Sequence, residues 1–150
     1  MDPDIIDTDR SEAIPIVIKA IDHVVLRVCD SQPMVQFYCE TLGCRVEKIQ
    51  EKIGLIQLRA GRCLIDLVDV GGELGRAGGA APGEEGRNMD HFCLRIECFN
   101  AEAIQNHLRK HGVQPGEIVS RYGAEGDGPS LYLQDPEGNT VELKGPPYGR

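Results

Sequence analysis

The sequence predicts an α+β fold made of two copies of one unit, each a strand, a helix and three more strands. The pattern apolar-Asp-His-x-x-Leu-Arg-apolar occurs at residues 21–28 and again at 89–96 (89 − 21 = 68). The strand that closes each half carries an acid between apolar residues, Ile65-Asp66-Leu67 and Val141-Glu142-Leu143 (142 − 66 = 76). The larger second offset predicts about eight extra residues in a late loop of the second copy.

Composition limits the class of protein. The 150 residues are 41% hydrophobic and 27% charged, which is typical of one globular domain. A net charge of −8 argues against nucleic acid or an anionic membrane as the partner. There is no apolar run of roughly 18 residues, and the acidic start is unlike a signal peptide. The six cysteines lack CxxC spacing, so we expect reduced thiols and a cytoplasmic protein that binds a small molecule.

The first module is predicted at residues 19–71 of a domain covering 18–150. Residues 1–17 are predicted to form a flexible arm; the alternative is a strand that docks on a partner subunit, because 14–18 is apolar. Strand alternation predicts a first strand at 20–29. A helix at 32–42 follows, with Ser31 as its N-cap and Gly43 as its stop. Three strands are predicted near 45–51, 55–60 and 63–70.

The second module is predicted at residues 89–147, after a Gly-rich linker at 72–88. Its order repeats that of the first, with a strand at 89–97, a helix at 101–111 capped by Asn100, and strands near 117–121, 130–134 and 140–144. Asp135-Pro136-Glu137-Gly138 has the residues of a type I turn. The intervening residues 122–129 are predicted to be the insertion and a mobile lid.

A metal site is indicated by the residues that the repeat places on strand faces. Glu142 lies mid-strand on a polar face, and burying a carboxylate without a partner is costly. His23 and His91 recur at equivalent positions, and imidazole with carboxylate oxygens suits Zn, Ni, Mn, Co or Fe(II). Asp66 is interpreted as a fourth ligand, a general base or a structural residue. The alternative is two core histidines and a structural ion pair, which the recurrence disfavours.

Arginines accompany both histidines. Arg27 and Arg95 lie two residues beyond His23 and His91, on the same strand faces. If those faces line the site, the arginines favour a substrate with a carboxylate or phosphate group. The alternative is that they cap strand ends in solvent.

The doubled D-H-x-x-L-R strand and the ending Y-L-x-D-P-E-G-N-x-x-E-L resemble the glyoxalase/bleomycin-resistance/extradiol-dioxygenase superfamily, also called vicinal oxygen chelate proteins. The resemblance covers residues 18–147. It implies paired βαβββ modules that form a cupped mixed β-sheet with helices outside. It also implies a divalent metal at His23, His91 and Glu142, and a substrate site lined by Ser130 and Tyr132, which match positions of the fosfomycin-resistance branch.

The expected function is that of a metal-dependent, glyoxalase-like lyase or isomerase that acts on a small substrate. The metal would hold two neighbouring substrate oxygens, and Asp66 or Glu142 would move the proton. The resemblance also implies a homodimer, either with both modules of one chain in one cup or with modules swapped between chains. Alternative functions are an Fe(II) extradiol-type dioxygenase and a drug-sequestering protein of the bleomycin-resistance type.

Overall fold

The computed structural model describes residues 14–149, so most of the predicted N-terminal arm lies outside the described residues. The first module contains β1 (His23–Val28), α1 (Ser31–Gln36), β2 (Arg45–Gln50), β3 (Leu55–Ala60) and β4 (Cys63–Asp69). Helix α1 continues into a π-helical turn, Phe37–Thr41, and a short 3₁₀ turn, Glu51–Ile53, separates β2 from β3. The predicted order is therefore confirmed.

Helix α1 begins one residue earlier than predicted. Its N-cap is Asp30, whose side chain accepts a hydrogen bond from the backbone N–H of Gln32 at 3.2 Å. Ser31, the predicted cap, is instead the first helical residue. A carboxylate suits this place because it faces the positive end of the helix. The chain leaves the helix at Gly43, whose φ of 78° is the left-handed conformation that favours glycine.

The second module contains β5 (Phe92–Arg95), α3 (Ala101–Lys110), β6 (Val119–Gly123), β7 (Gly126–Gln134) and β8 (Thr140–Lys144). Helix α3 has the predicted cap, since the Asn100 side chain accepts from the N–H of Ala103 at 3.0 Å. Residues 122–129, which were predicted to be an insertion and a mobile lid, form the end of the β6–β7 hairpin, with Gly123 paired to Gly126. Glycine-rich sequence gave the wrong expectation here, because the neighbouring strand and side chains impose the extended conformation.

Each module forms its own four-stranded mixed sheet, and β1 and β5 lie at equivalent edges. The orders are β1-β4-β3-β2 and β5-β8-β7-β6. In both sheets the first strand runs parallel to the last, with Val25 opposite Asp66 and Cys93 opposite Glu142. The two acids therefore occupy the same place in two copies of one unit. The predicted α+β class and the βαβββ modules are confirmed.

The linker contains a short helix, α2 (Glu73–Arg76), that the sequence did not predict. Gly75 sits against the backbone, since a Cβ there would lie 1.8 Å from the carbonyl oxygen of Asp69. The linker ends at Asn88, whose side-chain amide pairs with both backbone groups of Arg27 at 3.1 and 3.0 Å. Asn88 thus takes the place of a strand partner at the edge of β1.

The two modules of one chain share a single core on the helix side of the sheets. Leu26, Met34 and Tyr38 of the first module pack in one cluster with Leu108 and Val141 of the second, all 0–1% exposed. Burial of such side chains is worth roughly 1.5–3 kcal/mol each. Hydrogen bonds also join the two modules. Tyr38 Oη donates to Asp135 Oδ2 at 2.8 Å, and the N–H groups of Cys29 and Asp30 donate to Glu137 at 2.7 and 2.9 Å. His107 Nε2 lies 2.8 Å from the Thr41 carbonyl oxygen.

Within residues 14–149, none of the helices has the length and apolar character needed to cross a membrane.

Candidate functional site

Each sheet carries one predicted histidine and one predicted acid, and among the described residues His91 and Glu142 are in contact whereas His23 and Asp66 share no hydrogen bond or ion pair. The first half-site is His23, Asp66 and Gln57 on β1, β4 and β3, where Gln57 is the strand partner of Asp66. The second half-site is His91, Cys93, Glu142, Ser130 and Tyr132, on and before β5, β8 and β7, where Tyr132 is the strand partner of Glu142. The repeat found in the sequence therefore puts a histidine and an acid at equivalent strand positions of the two sheets.

Glu142 is the centre of the second half-site and is only 6% exposed. Ser130, which is fully buried, donates its hydroxyl to Glu142 Oε2 at 2.7 Å. The other carboxylate oxygen, Oε1, lies 3.2 Å from His91 Nε2. The His91 and Tyr132 rings meet edge to face with centroids 5.2 Å apart, which fixes the imidazole beside the acid.

The surroundings of Glu142 favour its charged form. Burial acts to raise the Glu142 pKa, but hydrogen bonds from Ser130, Cys93 and Tyr132, together with the charge of His91, lower it below the ordinary value. Burial and the adjacent Glu142 carboxylate raise the Cys93 pKa to about 12, so its thiol keeps the proton and acts as a donor. The second half-site thus presents a preorganised carboxylate.

Both histidines are oriented by the aspartate that precedes them. His23 Nδ1 lies 2.8 Å from Asp22 Oδ2, and His91 Nδ1 lies 2.5 Å from Asp90 Oδ2. The hydrogen bond that His23 donates to the Asp22 carboxylate is the main cause that raises the pKa of His23. A carboxylate on Nδ1 places the proton there and leaves Nε2 as the free acceptor, as in the carboxylate–histidine pairs of metal sites. The aspartate that precedes each histidine therefore orients both imidazole rings.

Asp66 is buried in the first half-site with few partners. Its carboxylate is 5% exposed and accepts long hydrogen bonds from the Gln57 amide at 3.3 and 3.4 Å. Among residues 14–149 no cation pairs with it. A buried carboxylate held only by a neutral amide is poorly compensated, which is the condition of a group that meets a metal, a proton or a substrate.

The two half-sites do not meet within one chain. In the part of the chain that the structure describes, no three His, Cys, Asp or Glu side chains lie close enough to hold one metal ion. Strand alternation puts the half-sites on the sheet faces opposite the shared core. The modules contact each other through that core, on the helix side of the sheets. The predicted set of His23, His91, Glu142 and Asp66 is therefore divided between two surfaces.

The arginines have partners within the chain. Arg27 donates to the carbonyl oxygens of Gly75, Gly79 and Ala80 at 2.8–2.9 Å, which fixes the linker against β1. The buried Nε of Arg27 has no partner among the described residues, and its predicted contact with substrate stays a prediction. Arg95 is exposed and pairs with Glu125 at 2.7 Å. Its predicted contact with substrate stays a prediction.

Sequence reasoning missed Gln57, Cys93 and Lys144. Gln57 and Cys93 were detectable as the strand partners of the two acids, but only once the register of the strands is known. Lys144 lies two residues after Glu142 on the same face and is 7% exposed, although its type is almost always found at the surface.

Comparison with known proteins identifies the family. The model of the Glyoxalase/Bleomycin resistance protein/Dioxygenase superfamily matches residues 20–143. The chain belongs to this superfamily. A glyoxalase domain-containing protein of Mycosarcoma maydis is 34% identical over 128 residues, which is 84% of this chain and 68% of that protein.

Solved structures of the superfamily share the fold. A virulence protein of Salmonella typhimurium superposes with a TM-score of 0.71 at 26% identity, covering 87% of this chain and 98% of that one. An integron cassette protein from the mobile metagenome of V. cholerae gives a TM-score of 0.70 at 28% identity, covering 88% and 98%. These likenesses confirm the predicted superfamily fold.

The donor set fits the divalent metal that the superfamily implies. Two ligands bonded to one ion at about 2 Å lie roughly 3.3 Å apart, and His91 Nε2 and Glu142 Oε1 are separated by 3.2 Å. His23 has an orienting aspartate of its own, Asp22, and its sheet carries the equivalent acid, Asp66. The separation of His91 and Glu142 therefore fits two ligands of one ion, and His23 and Asp66 are the equivalent side chains of the other sheet.

Proposed function

We propose that this protein is a metal-dependent lyase or isomerase of the glyoxalase type, whose site forms between two chains of a homodimer. His91 and Glu142 of one chain, with His23 of the other, would hold a divalent metal such as Zn, Ni, Mn, Co or Fe(II). The observation that carries the proposal is the division of one complementary ligand set between two open faces.

The helix-side contacts of the chain support a dimeric site. The two modules are held together by a shared core and by the Tyr38–Asp135 and Glu137 hydrogen bonds, on the side away from the half-sites. Bringing His23 to His91 of the same chain would require breaking that core. A second copy related by two-fold symmetry instead offers each half-site its complement twice, because a two-fold interface is self-complementary.

When bound, the metal would act as a Lewis acid for two neighbouring oxygens of a small substrate. The residues of this chain would do the rest. Ser130 and Tyr132 hold Glu142 charged and in place, while Asp22 and Asp90 hold the imidazoles in the tautomer that exposes Nε2. Asp66, buried beside a neutral amide, would take the proton from the substrate carbon and return it to the neighbouring atom.

The proposal is tested by mixing two defective chains. If the site forms across the interface, His23→Ala and Glu142→Gln homodimers each lack one ligand at both sites. In a mixed dimer, one site lacks both ligands and the other is intact. Random re-association after co-refolding would then restore about a quarter of the wild-type metal sites and turnover. No recovery from a mixture that is shown to contain mixed dimers would contradict a site between chains.

Metal analysis of the purified protein separates this function from the alternatives. Stoichiometric metal with turnover of an α-ketoaldehyde, epoxide or acyl-CoA substrate supports the lyase or isomerase. Iron with oxygen uptake on a catechol would indicate the dioxygenase, and tight drug binding without metal the sequestering protein. Light scattering provides an independent check, since a mass near that of one 16.4 kDa chain at micromolar concentration contradicts the dimer.

We also propose a cytoplasmic location for the protein. All six cysteines are free thiols, which is typical of a reducing compartment.

A further inference from the structure

Lys144 has a largely buried side chain and no acidic partner among the described residues. It is 7% exposed on β8, on the same face as Glu142. No carboxylate of residues 14–149 lies within 4.0 Å of its ammonium. Among the described residues its ammonium is not a buried atom that lacks a partner, so the side chain buries its stem while the charged end reaches solvent.

The first module supplies an internal comparison. Lys144 pairs with Arg95 as Val68 pairs with Arg27, and the offset is that of the two acids (144 − 68 = 76). Val68 is also 7% exposed. The same structural position is therefore filled by an apolar residue in one copy and by a lysine in the other, so packing alone does not explain the lysine.

Two glycines of the β6–β7 hairpin make room for this side chain. A Cβ on Gly123 would lie 2.6 Å from Cε of Lys144, and a Cβ on Gly128 would lie 2.8 Å from its Nζ. The ammonium therefore lies over β7, the strand that also carries Ser130 and Tyr132. Gly123 and Gly128, which the sequence analysis assigned to a loop, therefore line the space that the lysine side chain occupies.

A second cation lies next to it. Arg121 pairs with Gly128 across the hairpin, and its guanidinium stands over the Tyr132 ring, 4.6 Å from the centroid. Within the described part of the chain Arg121 also has no carboxylate partner. The chain has 24 acids and 16 arginines and lysines, so acids are in excess, yet both cations beside the half-site lack one.

We propose that Lys144, with Arg121, binds an oxyanion group of the substrate, a carboxylate or a phosphate, next to the group held at Glu142. The inference rests on the proposed function for what happens at Glu142, and it narrows the substrate to small anions that carry a charged group beside the two chelating oxygens. An anion there would pair with an ammonium and a guanidinium that have no carboxylate partner among the described residues, and charge-assisted hydrogen bonds of this kind are the strong ones.

The test is the binding of inorganic phosphate and of acetate, measured by isothermal titration calorimetry. It uses the full-length chain as purified and again after chelator treatment, so that anions bound to a metal are counted separately. The variants are Lys144→Met, its matched control Lys110→Met on the exposed end of α3, and Gly123→Ala, whose Cβ would meet only the lysine side chain.

We expect the wild type and Lys110→Met to bind at least one of the two anions with equal affinity. Lys144→Met should bind about 10- to 100-fold more weakly, the usual loss for a hydrogen bond to a charged group. Gly123→Ala should also weaken binding, and it decides the question if Lys144→Met does not fold. Preference for phosphate or acetate identifies the substrate group.

Absence of binding by the chelated wild type, or unchanged affinity in Lys144→Met, overturns the inference. Metal content measured on the same samples keeps the two proposals apart. Lys144→Met should retain the metal, so loss of anion binding with normal metal supports the inference, whereas a wild type that is purified without metal and still binds anions contradicts only the proposed metal chemistry.

Discussion

Tyr38 links the two modules on the helix side, and Tyr38→Phe tests whether that link fixes their arrangement. The Tyr38 side chain is 0% exposed, and its hydroxyl lies 2.8 Å from Asp135 Oδ2 in the β7–β8 turn of the other module. Burial, followed by the charge of Asp135, raises the pKa of Tyr38 well above its ordinary value, so the hydroxyl keeps its proton and donates. The variant removes this donor and leaves the ring in place.

The expected loss follows from the partners that Asp135 keeps. A hydrogen bond to a charged acceptor contributes about 1.5–3 kcal/mol. Asp135 retains the N–H groups of Glu137 and Asn139 at 2.9 and 3.0 Å and the Asn139 side-chain amide at 2.8 Å. The carboxylate is therefore not left bare, and the loss should fall at the low end, about 1.5 kcal/mol. For a chain of this length that lowers Tm by about 3–6 °C.

The assay is urea unfolding and thermal melting at one fixed protomer concentration, because dimerisation would make stability depend on concentration. Tyr122→Phe is the control, since Tyr122 is 82% exposed and should lose less than about 0.5 kcal/mol. If Tyr38→Phe is as stable as that control, the Tyr38–Asp135 hydrogen bond does not hold the modules together. It would then not keep the two half-sites of one chain apart.

Three further predictions concern the half-sites and the thiols. Asp66→Asn should keep the bound metal and lose about 10²- to 10⁴-fold in rate; parallel loss of metal, assayed on the same sample, would make Asp66 a ligand. Ser130→Ala should weaken metal binding about 10- to 100-fold, because Ser130 orients Glu142, and equal affinity in a metal titration would refute this. Cys44, buried with its pKa raised to about 11, should react with iodoacetamide more slowly than exposed Cys98, and equal labelling by peptide mass spectrometry would contradict it.

Most strands were predictable because alternation of apolar residues is set by burial of one face. The strand at 55–60 and the strand at 140–144 have the bounds expected from the sequence. The hairpin tip between the strands predicted near 117–121 and 130–134 was not, because its glycines have no side chains to show a pattern. They are used there because the Lys144 side chain crosses them, and a crossing between distant residues leaves no local signal.

The site was predictable as a set of residues and not as an arrangement. A histidine and an acid occur at equivalent positions of both modules, and this recurrence identified His23, His91, Asp66 and Glu142. Arg27 followed the same repeat, yet its guanidinium binds three linker carbonyls. Equivalent positions share a backbone geometry, but the partner of a long side chain depends on whatever segment passes nearby, and here that segment is the linker.

The sequence by itself determined the two modules, the carboxylates and the oriented histidines, because local alternation and the D-H dipeptide specify strand faces and tautomers without distant partners. Only the tertiary structure decided how the modules of one chain meet. That meeting depends on a shared core, in which Tyr38 reaches Asp135 ninety-seven positions away (135 − 38 = 97). The helix sides come together because they carry the large apolar side chains. The polar half-sites are consequently left on separate faces, where water or a second copy can satisfy them.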